Sequence, residues 1–173
     1  MKVLVAVVSK HGSTMGIGEA IAVELRSMNI ETDVRDVTEL GEVSHYDAAI
    51  VGSAVYMGRW MPEAVAFVRN QEATLQTMPV WLFSSGPLGD EPKPPGDPQR
   101  LDELMGTARA RGHRIFSGRL DKDYLGLGER LIVKAAHAPI GDFRDWDAIR
   151  DWAKEIGESL RQNSAGIGRR PAA

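Results

Sequence analysis

Hydroxyl side chains surround a glycine in the segment Ser9–Thr14, and these groups are the ones in this sequence best suited to binding a phosphate. The segment follows the apolar run Val3–Val8 and precedes residues with helical spacing of apolar side chains from Gly16 onward. A helix start offers unpaired backbone N–H groups and the positive end of the helix dipole, which together attract anions. The pattern therefore allows two interpretations: a phosphate site, or an ordinary helix start with Ser13 or Thr14 as the N-cap.

Composition restricts the kinds of chemistry that this chain can perform. It has 173 residues, about the size of one domain, with a formal net charge of −3 and no cysteine. Without cysteine there are no thiolate nucleophiles and no cysteine-ligated metal clusters, so redox chemistry would need a bound cofactor. The charge and the lack of a dense Lys/Arg cluster argue against nucleic-acid binding. Since no signal-peptide layout and no apolar run of about 18 residues occurs, we predict a cytoplasmic protein without a membrane span.

Strand-like and helix-like segments alternate along the chain, which is typical of a parallel sheet covered by helices on both faces. Five apolar runs predict strands over residues 3–8, 31–37, 47–52, 79–84 and 114–118. We therefore predict an α/β fold, a doubly wound five-stranded parallel sheet with strand order 2-1-3-4-5. The domain is expected to cover residues 1–162 and to be followed by a flexible C-terminal tail over 163–173.

In this strand order, the loops after the first, third and fourth strands meet at one edge of the sheet, at the switch point. Together they offer anion donors at one end and an aromatic or apolar wall in the middle, which suits a planar ring with a phosphate tail. Flavin mononucleotide (FMN) is the candidate that fits this description. The predicted cofactor-binding residues are Ser9, Lys10, His11, Gly12, Ser13 and Thr14 after the first strand, Ser53, Ala54, Val55, Tyr56, Met57, Gly58, Arg59 and Trp60 after the third, and Ser84, Ser85, Gly86, Pro87 and Gly89 after the fourth.

The order of these motifs resembles a known family. The pattern Ser-x-His-Gly-Ser-Thr between a strand and a helix is similar to the phosphate loop of flavodoxins, and the Met57–Gly58 pair resembles the flavodoxin loop whose glycine carbonyl can turn toward the flavin N5. Nearly the whole chain to Leu160 is similar to flavodoxin-domain proteins related to the menaquinone-dependent protoporphyrinogen oxidase family. The stretches that carry this likeness are Gly52–Trp60, Phe83–Ser84, Phe116–Leu120 and Tyr124–Trp152.

The resemblance implies a flavodoxin-like, FMN-binding domain whose phosphate is held by Ser9, His11, Gly12, Ser13 and Thr14. The chain departs from simple flavodoxins in two respects. His11 stands where a Thr or Ser is common, and residues 86–90 contain no aromatic side chain where flavodoxins often stack a tyrosine. One face of the flavin is therefore expected to be open to a substrate, or else the gap is filled by Trp60 or by the segment Leu120–Ala138.

Charge near the expected ring position favours two-electron chemistry. Arg59 lies in the loop expected beside the ring, and a cation there would favour the anionic reduced flavin and raise its two-electron potential. Alternatively, Arg59 points to solvent and caps the following helix. Tyr56 and Trp60 likewise either stack on the ring or anchor their loop.

Two function classes follow from this pattern. The first is an enzyme, an FMN-dependent oxidoreductase that performs two-electron chemistry with a quinone or a porphyrinogen. The alternative is a flavodoxin-type electron carrier that serves protein redox partners. In either class the flavin performs the redox chemistry, and we predict neither a catalytic side chain nor a metal site.

The segment over residues 121–138 is longer than a usual connection between a strand and a helix. Leucine and isoleucine side chains with helical spacing lie beside Arg130 and Lys134 in its second half. Such a helix could dock a partner, contact a membrane surface peripherally or cover the flavin. A short helix packed on the edge of the sheet would explain the same pattern.

Overall fold

A computed structural model describes residues 1–86, 98–120 and 140–167, with side chains up to residue 162. A parallel sheet with strand order β2-β1-β3-β5-β6 lies at its centre. This order confirms the predicted 2-1-3-4-5 arrangement, because β4 is only a short strand paired with the end of β3. The strands are β1 (Lys2–Val8), β2 (Glu31–Asp36), β3 (Ala48–Tyr56), β4 (Arg59–Trp60), β5 (Val80–Ser85) and β6 (His113–Phe116).

Helices cover both faces of the sheet. Helices α1 and α5 pack on one face, and α2 and α4 pack on the other. A separate two-stranded ribbon, β7–β8, lies outside the main sheet. The bounds are α1 (Ser13–Ser27), a 3-10 turn (Val37–Glu39), α2 (Pro62–Asn70), α3 (Glu72–Leu75), α4 (Leu101–Ala108), β7 (Arg119–Leu120), β8 (Gly141–Asp142) and α5 (Trp146–Ile167).

The central strand β1 is apolar from Val3 to Val8, as is typical of a strand buried on both faces. Its side chains alternate between the two cores: Val3, Val5 and Val7 pack with α1 and α5, whereas Leu4, Ala6 and Val8 pack with α2 and α4. Each face of the strand therefore contributes to a different core, and each core is covered by its own pair of helices.

A close contact between β3 and β5 determines how the aromatic core is packed. The Phe83 ring lies so near Gly52 that a Cβ on Gly52 would be 2.1 Å from Phe83 Cζ. Phe83 in turn meets Phe116 and Trp152 edge to face, with centroid distances of 6.1 and 6.2 Å. Trp152 thereby connects α5 to the sheet.

The region predicted as a loop over 53–60 is a β-hairpin, because β3 continues to Tyr56 and pairs there with Arg59. The two turn residues, Met57 and Gly58, have φ values of 50° and 73°. Positive φ at both positions defines the type I′ turn, whose twist matches that of paired strands.

Some of the predicted features lie at or beyond the limits of the described residues. Helical backbone continues to Ile167, beyond the predicted domain limit at 162, so the division into 1–162 and a flexible tail over 163–173 stays a prediction. The segment 121–138 lies outside the described residues. Within the ranges that are described, no helix is both long enough and apolar enough to span a bilayer, and the cytoplasmic location stays a prediction.

We expect Gly52→Ala to lower the free energy of unfolding by about 1–3 kcal/mol, because the new methyl group overlaps the Phe83 ring. Urea denaturation measures this change. Gly106→Ala in α4 is the matched control: its Cβ would meet no atom within 4 Å, and we expect it to raise the free energy by about 0.5–1 kcal/mol. Equal effects of the two variants would contradict the packing argument.

Candidate functional site

A cleft at the carboxyl ends of the parallel strands brings together most of the predicted cofactor-binding residues. Its volume of about 90 Å³ corresponds to roughly three water molecules, the size of a small anionic group rather than of a whole cofactor. The lining comprises the predicted Ser9, Lys10, His11, Ser13, Thr14, Ala54, Val55, Tyr56, Ser85 and Gly86, together with Gly118, Arg119 and Leu120.

The turn between β1 and α1 is shaped by Gly12, which is the N-cap residue of α1 with φ of 77°. The interpretation with Ser13 or Thr14 as N-cap is wrong, because both residues lie in the first helical turn. Instead, Ser9 Oγ accepts a hydrogen bond of 3.2 Å from the Thr14 N–H. Glycine tolerates this left-handed conformation at little cost, and the turn can therefore close tightly around the cleft.

Thr14 carries the clearest sign of a missing ligand. Its side chain lines the cleft and is fully buried, yet its Oγ1 has no hydrogen-bond partner among the described residues. Leaving a buried hydroxyl unsatisfied costs about 1–3 kcal/mol. A phosphate oxygen at this position would accept its hydrogen bond, so the residues of the cleft fit a phosphate group.

The Ser13 hydroxyl joins three loops. Ser13 Oγ accepts a hydrogen bond of 2.8 Å from the Arg119 N–H and lies 3.4 Å from Ser85 Oγ. Both serines are buried. The start of α1, the end of β5 and the start of β7 therefore meet at one hydroxyl group, which fixes the shape of the cleft.

Two of the predicted serines fasten the hairpin instead of lining the cleft. Trp60 Nε1–H donates a 2.8 Å hydrogen bond to Ser84 Oγ, which lies 2.8 Å from His113 Nε2. Ser53 Oγ accepts from the Met61 N–H at 3.0 Å. Both serines are fully buried, so a direct contact of either with a cofactor stays a prediction. For Trp60 the hydrogen bond favours the interpretation as a loop anchor.

A wider cavity of about 710 Å³ adjoins the hairpin and shares Lys10 and Tyr56 with the cleft. Lys10 Nζ lies 5.8 Å from the centroid of the Tyr56 ring, a cation–π distance that connects the two spaces. The other lining residues are Met57, Arg59, Trp60, Met61, Pro62 and Gln99.

Gln99 holds the turn of the hairpin on this side of the cavity. Its N–H donates to the Gly58 carbonyl at 2.8 Å, and its Oε1 accepts from Arg59 Nε at 2.8 Å. The Gly58 carbonyl, which by resemblance could turn toward the flavin N5, is thus bonded to Gln99. Arg59 lines the cavity and is bonded to Gln99 while remaining exposed to solvent, so its place beside a flavin ring stays a prediction.

An ion pair supports the back of the site. Arg144 donates to Asp142 Oδ1 from Nε at 2.8 Å, and its guanidinium lies 4.3 Å from the centroid of the Trp146 ring. The guanidinium also lies against α1, since a Cβ on Gly16 would be 2.5 Å from Arg144 Nη1. The hydrogen bonds from Arg144 hold the pKa of Asp142 below its ordinary value.

Reasoning from the sequence missed the segment Gly118–Leu120, which enters the cleft from the end of β6. The signal that could have found it is the topological rule already applied to three strands, because a fourth strand of the same parallel sheet also ends at this edge. Of the remaining predicted residues, Pro87 and Gly89 lie outside the described part of the chain.

Comparisons with known proteins agree with this geometry. The model of a family described as a flavodoxin domain matches residues 4–146. A protoporphyrinogen IX dehydrogenase (quinone) of Escherichia coli K12 is 22% identical over 171 residues, which cover 90% of this chain and 94% of the relative.

Solved structures show the same fold. A flavodoxin from the domain Archaea has a TM-score of 0.60 at 17% identity and covers 93% of this chain and 99% of its own. The rubredoxin oxygen:oxidoreductase of Desulfovibrio gigas has a TM-score of 0.64 at 15% identity, covering 95% of this chain and 37% of its own. The family match and these structures confirm the flavodoxin-like fold, and the family match confirms FMN as the predicted cofactor.

Thr14→Val keeps the shape of the side chain and removes the unpartnered hydroxyl. We expect FMN to bind about 10-fold more weakly, because one hydrogen bond to a charged group is lost. The free energy of unfolding of the apoprotein should stay the same or rise. Flavin fluorescence titration and urea denaturation measure the two effects, and Thr14→Ser, which keeps the hydroxyl, should bind FMN nearly as the wild type does. Unchanged FMN affinity in the valine variant would contradict a role for Thr14 in binding.

Asp142→Asn removes the carboxylate that pairs with Arg144, whose side chain is only 8% exposed. Since Asp142 itself is 39% exposed and solvent screens the pair, we expect a loss of about 0.5–1 kcal/mol in the free energy of unfolding at pH 7. Since the pKa of Asp142 is lowered in the folded state, its contribution is present above the ordinary value of 3.8 and is lost as the pH falls through the lowered pKa.

The difference between wild type and Asp142→Asn should therefore shrink in strong acid, which urea denaturation at several pH values measures. The matched control is Asp147→Asn, which removes a far more exposed carboxylate paired with Arg150. It should change the free energy by less than about 0.5 kcal/mol at any pH. A pH-independent difference for Asp142→Asn would contradict the ion-pair explanation.

Proposed function

This chain belongs to the flavodoxin domain family, and from that premise we propose that it is an FMN-dependent oxidoreductase that exchanges two electrons with a quinone or a porphyrinogen. The name of the Escherichia coli relative states both of these substrate classes, and the two chains match over most of their lengths. This relative supports the proposal, but an identity of 22% alone does not establish the activity of this chain.

The observation that carries the proposal is the wide cavity beside the hairpin. Its volume of about 710 Å³ lies within the range of small-molecule sites. Met57, Trp60, Met61 and Pro62 give it an apolar lining. Such a cavity next to a phosphate-sized cleft offers room for the flavin ring and for an apolar substrate ring beside it, whereas an electron carrier would need room for the flavin alone.

Residues of the cleft would hold the phosphate of FMN, namely Ser9, His11, Gly12, Ser13 and Thr14. In this arrangement the buried Thr14 hydroxyl donates to a phosphate oxygen, and Tyr56, at the boundary of the cleft and the cavity, orients the remainder of the cofactor. When bound, FMN supplies the two-electron redox chemistry.

The charge around the cavity favours reduction by two electrons. Lys10 and Arg59 line it, and no Asp or Glu is among its described lining residues. Positive charge beside a bound ring stabilises negative charge that develops on that ring. The proposal therefore assigns to Arg59 the role of stabilising the reduced state and raising the two-electron midpoint potential.

The proposal is tested by mixing FMN-loaded protein, reduced under anaerobic conditions, with menadione in a stopped-flow instrument. We expect the reoxidation rate to saturate with quinone concentration, because the quinone occupies the cavity before it reacts. Protoporphyrinogen should likewise reduce the oxidised protein. A rate that rises linearly and equals that of free reduced FMN would reject the proposal, and rapid reaction with cytochrome c alone would indicate an electron carrier.

Arg59→Gln tests the electrostatic part of the proposal. We expect a lower two-electron midpoint potential of the bound flavin, measured by equilibrium with reference dyes. Arg69→Gln is the matched control, since Arg69 pairs with Glu103 on the surface of α2 and lies outside the wide cavity. Equal potentials of the two variants and the wild type would exclude this role of Arg59.

A further inference from the structure

A guanidinium group reaches the phosphate cleft from a part of the chain remote in sequence from the phosphate loop. Arg119 lines the cleft together with Ser9, Ser13 and Thr14. Its Nη2 lies so close to the turn that a Cβ on Gly12 would be 3.9 Å away. The charged end of Arg119 therefore lies beside the residue that caps α1.

The backbone around Arg119 is fixed on both sides. Its N–H donates to Ser13 Oγ at 2.8 Å, and β7 pairs with β8 in a register that places Arg119 opposite Asp142. On the preceding side, the Gly118 carbonyl accepts from the Phe143 N–H at 3.1 Å. These contacts belong to the backbone, so they remain when the side chain is changed.

The charges in the cleft complement a dianion. Its described lining residues include Lys10, His11 and Arg119 and no carboxylate. Asp142, the acidic residue opposite Arg119 in the ribbon, is bonded to Arg144 through both carboxylate oxygens. The unpartnered Thr14 Oγ1 adds a neutral donor inside the same cleft.

We propose that the Arg119 guanidinium binds the terminal phosphate of FMN and makes the site selective for a phosphate monoester over uncharged riboflavin. This inference rests on the proposed phosphate site. The hydroxyl and amide groups of the loop are neutral donors to the phosphate, whereas Arg119 adds to Lys10 a charge that distinguishes a dianion from a neutral molecule of otherwise equal shape. Riboflavin lacks the phosphate and cannot form this ion pair with Arg119, so the two ligands differ in binding free energy.

Binding of FMN and of riboflavin to Arg119→Gln tests the proposal. We expect FMN to bind about 10- to 100-fold more weakly, because a hydrogen bond to a charged group is lost, while the affinity for riboflavin stays within about 2-fold. Arg119→Lys keeps the charge and should retain part of the preference. The matched control is Arg114→Gln on β6, which makes the same charge change at a surface ion pair with Glu155 and should leave both affinities unchanged.

Salt dependence gives a second measurement that does not need the glutamine variant to fold. The affinity of the wild type for FMN should fall with added KCl, and that for riboflavin should not, since only the former involves an ion pair. The proposal would be overturned if Arg119→Gln lost affinity equally for FMN and for riboflavin. It would also be overturned if the wild-type affinities for the two ligands depended equally on salt. Since these are binding measurements, tight FMN binding without quinone reactivity would reject the proposed oxidoreductase function alone.

Discussion

All strands of a parallel sheet end at the same edge, and this constraint decides which parts of the chain can meet in one site. Here β1, β3, β5 and β6 each deliver a segment to that edge. Both faces of the sheet are buried, and the contact between Gly52 and the Phe83 ring shows how little space remains inside. The cleft therefore depends on the packing beneath it.

Hydroxyl groups perform two different tasks at this edge. Ser13, Ser53 and Ser84 have their hydrogen bonds completed within the protein, where they hold loops and the hairpin in place. Thr14 has the same kind of group, equally buried, with no partner among the described residues. Since burial without a partner is costly, the contrast separates hydroxyls that build the site from the one aimed at a ligand.

The strand order and the phosphate turn could be predicted because each depends on local patterns: a doubly apolar strand, a glycine and an amphipathic helix. The hairpin at Met57–Gly58 could not, since it places a methionine at positive φ, which local preference disfavours. Arg119 was missed for another reason. Its position depends on a hydrogen bond to Ser13 across 106 residues of sequence, and no local pattern reports a contact of that kind.

The hairpin is held at three places, by Ser53, Ser84 and Gln99. Gln99 precedes α4, so one wall of the wide cavity is continuous with a helix that packs in the same core as Trp60. A wall held in this way has lost its conformational freedom during folding, and a molecule that enters the cavity does not have to order it again. The site is therefore preorganised, and differences in affinity between ligands should reflect their own shape and charge more than the cost of closing a loop.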